Sequence, residues 1–149
     1  MKKPFIVIVF CYLLFLISCS VSPEEIRYGS DQCAYCSMNI VDKTHASQVV
    51  TSKGKQYKYD AVECLIHHIH DEELANTELA FILVTDYNNP GTMTPAKEAH
   101  FLISKNIPSP MGANLSAFKN IEAAQATQQE NGGEIYNWET INEKMRLKK

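Results

Sequence analysis

Two thiols and one thioether fall between Cys33 and Met38 in the stretch Asp31-Gln32-Cys33-Ala34-Tyr35-Cys36-Ser37-Met38-Asn39-Ile40. Thiolate and thioether are soft donors, and sulfurs this close suit a soft monovalent ion such as Cu(I) better than a packed core. One thiolate balances the charge of one Cu(I), and neutral thioethers complete the shell without adding charge. Met38 stands in a polar loop with no apolar face to fill, and a thioether cannot be lost to a disulfide. Met111 has similar standing in Pro108-Ser109-Pro110-Met111-Gly112, a stretch too polar for core. Pro110 stiffens its approach, and Gly112 allows close backbone packing or positive φ. Few soft ligands on mobile loops also permit release, which a carrier requires.

Rival chemistries compete for the same residues. Cys33-Ala-Tyr-Cys36 could close a structural disulfide in an oxidising compartment. A thioredoxin-like pair would sit at a helix N-terminus after a βαβ start, and nothing helical follows here. A four-ligand zinc site wants a second pair at matching spacing, and only Cys64 and scattered histidines are present. Ser37 after Cys36 excludes haem attachment. Met38 as a gap-filling core residue is the bland reading of that position. His67-His68-Ile69-His70 invites a metal reading, since Cys64 and His68 share a helix face, as do Glu63 and His67. A solvated helix face is the simpler reading. His45 and His100 sit at strand starts, and no spacing selects either as a ligand. Met93, in a polar turn, is a weaker copy of Met111. Trp138 and Met145 read as packing residues. No Ser/His/Asp set, paired carboxylate or glycine-rich phosphate loop is evident, so no catalytic machinery is expected.

The elements that position these residues follow from periodicity and turn chemistry. His45 to Thr51 ends in a β-branched run, Ser52-Lys53-Gly54 turns, and Lys55 to Tyr59 alternates, which predicts a β-hairpin. Asp60 is suited to cap the next segment. There Val62, Leu65, Ile66 and Ile69 form one apolar stripe on a helix of about three turns. Leu79 to Thr85 is a continuous apolar run, a buried strand. After the turn Asn88-Asn89-Pro90-Gly91 the order repeats. An extended piece at Thr92–Pro95 comes first, then a strand at Ala99–Ser104 and a short extended piece at Leu115–Phe118. Asn120 caps a helix to about Glu130, ended by Asn131-Gly132-Gly133. Glu134–Asn137 is a short strand, and Trp138, Ile141 and Met145 mark one face of a terminal helix with a basic end.

The chain of 149 residues, 45% hydrophobic and 21% charged, is long enough for one domain with a core and too apolar for disorder. Its net charge of −3, with no basic stripe interleaved with aromatics, gives it no reason to seek nucleic acid. Lys2-Lys3 and the apolar run Phe5–Ile17 form a secretory signal too short to span a bilayer easily. Leu16-Ile17-Ser18-Cys19 resembles a bacterial lipobox, which predicts cleavage before Cys19 and its lipidation. A plain secretory signal or a short uncleaved anchor is the alternative. Ser20 leans towards the outer membrane, and residues 20–30 read as a tether. Cys11 leaves with the signal and Cys19 goes to lipid, so Cys33, Cys36 and Cys64 remain. Three thiols in an oxidising compartment leave at least one free unless two chains are bridged.

The sulfur stretch, then Tyr59-Asp60 ahead of Glu63-Cys64-Leu65, then Ser109-Pro110-Met111-Gly112 with Ala117-Phe118 resembles the NosL family from about Asp31 to Gly133. These are periplasm-facing lipoproteins that serve as copper chaperones for assembly of nitrous oxide reductase. The resemblance implies an α+β domain of two related ββαβ units, about 31–87 and 88–149, with a fold relationship to organomercurial lyase. It implies Cys36, Met38 and Met111 as Cu(I) ligands and Cys33 as the next candidate; Cys64 matches a family position at a helix start but borders the apolar stripe, and reads as a core residue, a neighbour of the ligands or an additional ligand. Ser37 stands where the family often has glycine. The expected partners are apo-nitrous oxide reductase and its membrane maturation complex, with the chain a lipid-anchored monomer facing the periplasm. Two rivals stay open. One is an organomercurial-lyase-like enzyme using Cys36 and Cys64 with an acid such as Asp31. The other is a metal-free, disulfide-stapled interaction lipoprotein.

Overall fold

A computed structural model describes residues 20–147. The signal segment, the lipidation position Cys19, and Lys148 and Lys149 lie outside the described residues. Among the described residues, no helix is long and apolar enough to cross a membrane.

The hairpin forms where turn chemistry placed it. β1 (Ser47–Thr51) pairs antiparallel with β2 (Gln56–Tyr59). Gly54 at φ 84° closes the turn by donating its N–H to the Thr51 carbonyl at 2.8 Å. The apolar run becomes β3 (Leu79–Thr85) on the other side of β1. The extended piece at Thr92–Pro95 becomes β4 (Met93–Pro95), which pairs with β3 and so completes the first sheet, in the order β2-β1-β3-β4. It was expected to open the second copy of the repeat. Three residues placed directly after a tight turn from β3 pair most readily with β3 itself.

The second sheet has β5 (His100–Ile103) between β6 (Leu115–Phe118) and β7 (Glu134–Tyr136). α1 (Val62–Ile69) connects β2 to β3, and α2 (Ile121–Asn131) connects β6 to β7. β1-β2-α1-β3 and β5-β6-α2-β7 therefore share one connectivity, with the first strand central and the other two flanking it. The class is α+β. α3 (Trp138–Arg146) closes the chain behind a capping box of Asn137 and Thr140.

α1 positions the site. It touches β1 and β2 of its own sheet, β6 of the other, and α3. Its eight residues are shorter than the stripe suggested, and six are buried: Val62, Glu63, Cys64, Leu65, Ile66 and His68. A helix wedged between two sheets has almost no solvated face, so its polar residues must find partners inside.

Candidate metal centre

The sulfur loop folds back on itself. Cys33 donates its N–H to the Met38 carbonyl at 2.8 Å, and Ser37 donates to the Cys33 carbonyl at 2.9 Å. Gln32 and Asn39 form a bridge at the loop's mouth, and Ala34 donates to the Lys58 carbonyl at 2.8 Å, tying the loop to β2. Closing this loop requires Ser37 at φ 65°, the left-handed region that glycine occupies freely.

Anchored this way, the loop presses Cys33 and Cys36 against the start of α1. Sulfurs of Cys33, Cys36 and Cys64 and a carboxylate oxygen of Asp60 all lie within 4.8 Å of one another. All three cysteines are free thiols. Cys33, Asp60 and Cys64 are buried and Cys36 is half-buried. Asp60 does not cap α1, because the N-cap position is Ala61 and carries no side-chain cap bond. One position too early to reach the helix amides, Asp60 accepts from the Cys36 thiol at 3.6 Å through Oδ1. Its Oδ2 is buried with no hydrogen-bond partner.

The thiols ionise unequally. The Cys64 thiol beside Cys33 pulls the Cys33 pKa below the ordinary thiol value, against the opposing effect of burial. The same contact, with burial, pushes Cys64 far up. Burial raises Cys36 as well. A single negative charge therefore settles on Cys33 first.

The two methionines stand at the surface. Met38 is 45% exposed and Met111 43%. Met111 sits at the tip of a turn in which Gly112 donates to the Ser109 carbonyl at 3.0 Å, with Gly112 at φ 79°. The turn is held from below by Glu63 of α1, whose Oε1 accepts from the Ser109 hydroxyl and from the Ala113 N–H at 3.3 Å. Glu63 is buried, and burial pushes its carboxyl above the ordinary value. Both sulfur-bearing loops therefore fasten to the start of α1, one at Cys64 and at Asp60 just ahead of the helix, the other at Glu63.

Other candidates fall elsewhere. His68 is not on a solvated face: it is buried, with Nδ1 against the Tyr59 hydroxyl at 3.0 Å and Nε2 against Glu73 at 3.2 Å. His67 stacks on Tyr35. Met93 begins β4, where the Thr85 hydroxyl donates to its sulfur at 3.7 Å, so it belongs to the sheet. The surroundings of Asp31 favour its ionised form over a proton donor. Lys58 at 2.7 Å and Arg27 at 2.8 Å hold its carboxyl down to about 2. The structure also contains a Ser/His/Asp set that no local spacing reveals. His45 joins Asp42 at 2.6 Å through Nδ1 and Ser116 at 3.1 Å through Nε2. Ser116 is wholly buried in β6, so no substrate carbonyl reaches its hydroxyl; the set ties the segment before β1 to the second sheet.

The NosL family model matches residues 26–146 of the sequence. No protein of curated function matches it. Among solved structures, the crystal structure of the copper chaperone NosL from Shewanella denitrificans superposes with a TM-score of 0.70. The match has 19% sequence identity and covers 80% of this chain and 95% of that one. At that identity the likeness speaks for the fold.

Proposed function

The chain belongs to the NosL family, and on that footing we propose that it is a membrane-anchored copper metallochaperone that hands Cu(I) to a protein partner by ligand exchange. One observation carries this reading: Met38 and Met111, thioethers with no packing duty, lie exposed on two loops fastened to the same helical turn that holds the thiols. A donor set at the surface lets an incoming ligand attack before the outgoing one leaves, which a carrier needs and a structural site avoids. Cys36, Met38 and Met111 are the ligands of this reading, with Cys33 as the neighbouring thiolate that balances the ion's charge. The recipients are apo-nitrous oxide reductase and its membrane maturation complex. Lipid on Cys19 holds the carrier at the membrane, on the outer-membrane face of the periplasm, with residues 20–30 as spacer.

Anaerobic Cu(I) titration against a competing chelator tests the assignment. One equivalent is expected to bind, with Cys36→Ser, Met38→Ala and Met111→Ala each weakening it by about tenfold or more. Tight one-to-one binding that survives all three substitutions overturns the ligand set.

A further inference from the structure

The chain ahead of the sulfur loop is bound to the first sheet. Gln48 donates its side-chain amide to the Glu24 carbonyl at 3.0 Å, Gln56 donates to the Ser22 carbonyl at 3.0 Å, and Lys58 donates to the Glu25 carbonyl at 2.8 Å. Glu24 returns its N–H to the Gln56 side chain at 3.3 Å, and Ile26 is buried. Gln48 stands opposite Lys58 and Val50 opposite Gln56, so these side chains share one face of the sheet. That face is turned away from α1, because Ser47, next to Gln48, points the other way and donates its hydroxyl to the carbonyl of Ala61 at the helix start. Residues 22–26 therefore form a strap across the outer face rather than a free spacer. Three peptide links join Ser22 to Cys19, a reach of at most about 11 Å. The described chain, packed at ordinary density, is about 35 Å across. An anchor on so short a leash does not let the domain turn over.

β3 shows what that face is built to meet. Its Ile82 and Val84 point to the core, whereas Phe81 and Leu83, opposite Val50 and Gln48, point outward and stay half-buried. A strand apolar on both faces needs cover on both, and the strap covers the outer one only in part. A groove of about 380 Å³ remains between strap and sheet, with Pro23, Ile26, Tyr28, Leu83 and Met93 in its lining. We propose that the outer face of the first sheet, strap included, is the side on which the domain rests against the lipid bilayer. The acyl chains on Cys19 start within one short leash of this face, so the bilayer is the first apolar surface it meets. The inference rests on the lipid anchor of the copper reading and adds an orientation to it. The thiols meet α1 on the sheet's other face. A recipient therefore reaches the copper ligands from the aqueous side, not from within the membrane.

Carboxylate labelling of the full lipidated protein in phosphatidylcholine vesicles is the test. Glu24 on the strap is 68% exposed, and Glu134 on β7 and Glu143 on α3, beyond α1, are 74% and 64% exposed. A water-soluble carbodiimide with an added amine would meet all three about equally in water. On vesicles, Glu24 is expected to label at least about threefold more slowly than Glu134 and Glu143, because the headgroup layer shields it. When the acyl chains are brominated, Phe81→Trp should lose about half or more of the emission that the substitution adds, while Trp138, the parent's single tryptophan, stays bright. Should Phe81→Trp fail to fold, labelling of the unsubstituted protein still decides. Equal labelling of the three carboxylates, or unquenched emission from a folded Phe81→Trp, overturns the proposal. Protection of Glu24 that grows with the protein-to-lipid ratio places a second copy on the face and overturns it too. The mass of the N-terminal peptide separates this inference from the reading beneath it. A Cys19 without lipid removes the anchor and the orientation together, whereas lipidated protein with evenly labelled carboxylates removes the orientation alone. Cu(I) binding is judged by its own titration in either case.

Discussion

Ser37 shows how one backbone angle shapes the site. Its φ of 65° closes the loop that brings Cys33 and Cys36 to α1. A non-glycine residue there is strained by about 1–2 kcal/mol, part of which glycine returns as extra freedom in the unfolded chain. Ser37→Gly is therefore expected to stabilise the metal-free protein by about 0.5–1 kcal/mol, a rise of a few degrees in thermal midpoint. An unchanged or lower midpoint contradicts the strain. Asp31 matters at the same scale through charge. Its carboxyl titrates at about 2 when folded against 3.8 ordinarily, because Lys58 and Arg27 favour the ionised form. Such a depressed acid contributes stability that is complete above the ordinary value and fades as pH falls through the folded one. Urea midpoints of the metal-free protein should fall between about pH 4 and pH 2. Asp31→Asn should be less stable at neutral pH and lose less over that window. Parallel curves for the two proteins would remove the ion pair from the account.

Among the elements, strands and helices follow their local signals closely. The β-branched and apolar runs became β1 and β3, Asn120 caps α2 through its side chain to Ala123, and the stripe on α1 faces the core. Elements went astray where neighbours in space decided. Three residues of β4 joined the first sheet, and α1 lost its solvated face to the second. The junction of α2 and β7 depends on Gly133, which lies at φ 107°, and a Cβ there would run into the backbone carbonyl of Ile103 on β5. Gly133→Ala should cost about 2 kcal/mol or more, seen as a lower chemical-denaturation midpoint with early hydrogen exchange in β7. A midpoint within error of the parent would show that β7 can shift aside.

Across the whole molecule, the site exists because the two repeats meet on α1. Glu63 lies in the first repeat and holds the Ser109–Ala113 turn of the second, so it acts on Met111 by positioning it. Glu63→Ala should release the turn and lower Cu(I) affinity about as much as Met111→Ala, with the double variant little worse than either alone. Glu63→Gln keeps an acceptor for Ser109 and Ala113 and should recover part of the affinity. Additive losses would mean that Glu63 contributes only to folding. By itself, the sequence determined the kinds of donor available, the loops that carry Cys33 to Met38 and Met111, and the order of strands and helices, since these depend on residue type and near-neighbour spacing. Only the tertiary structure decided which atoms meet. Asp60 joins Cys36 across 24 positions, and His45 joins Ser116 across 71. No local period records such pairings; they arise when two sheets close on one helix and its buried polar groups must be satisfied from whatever lies opposite.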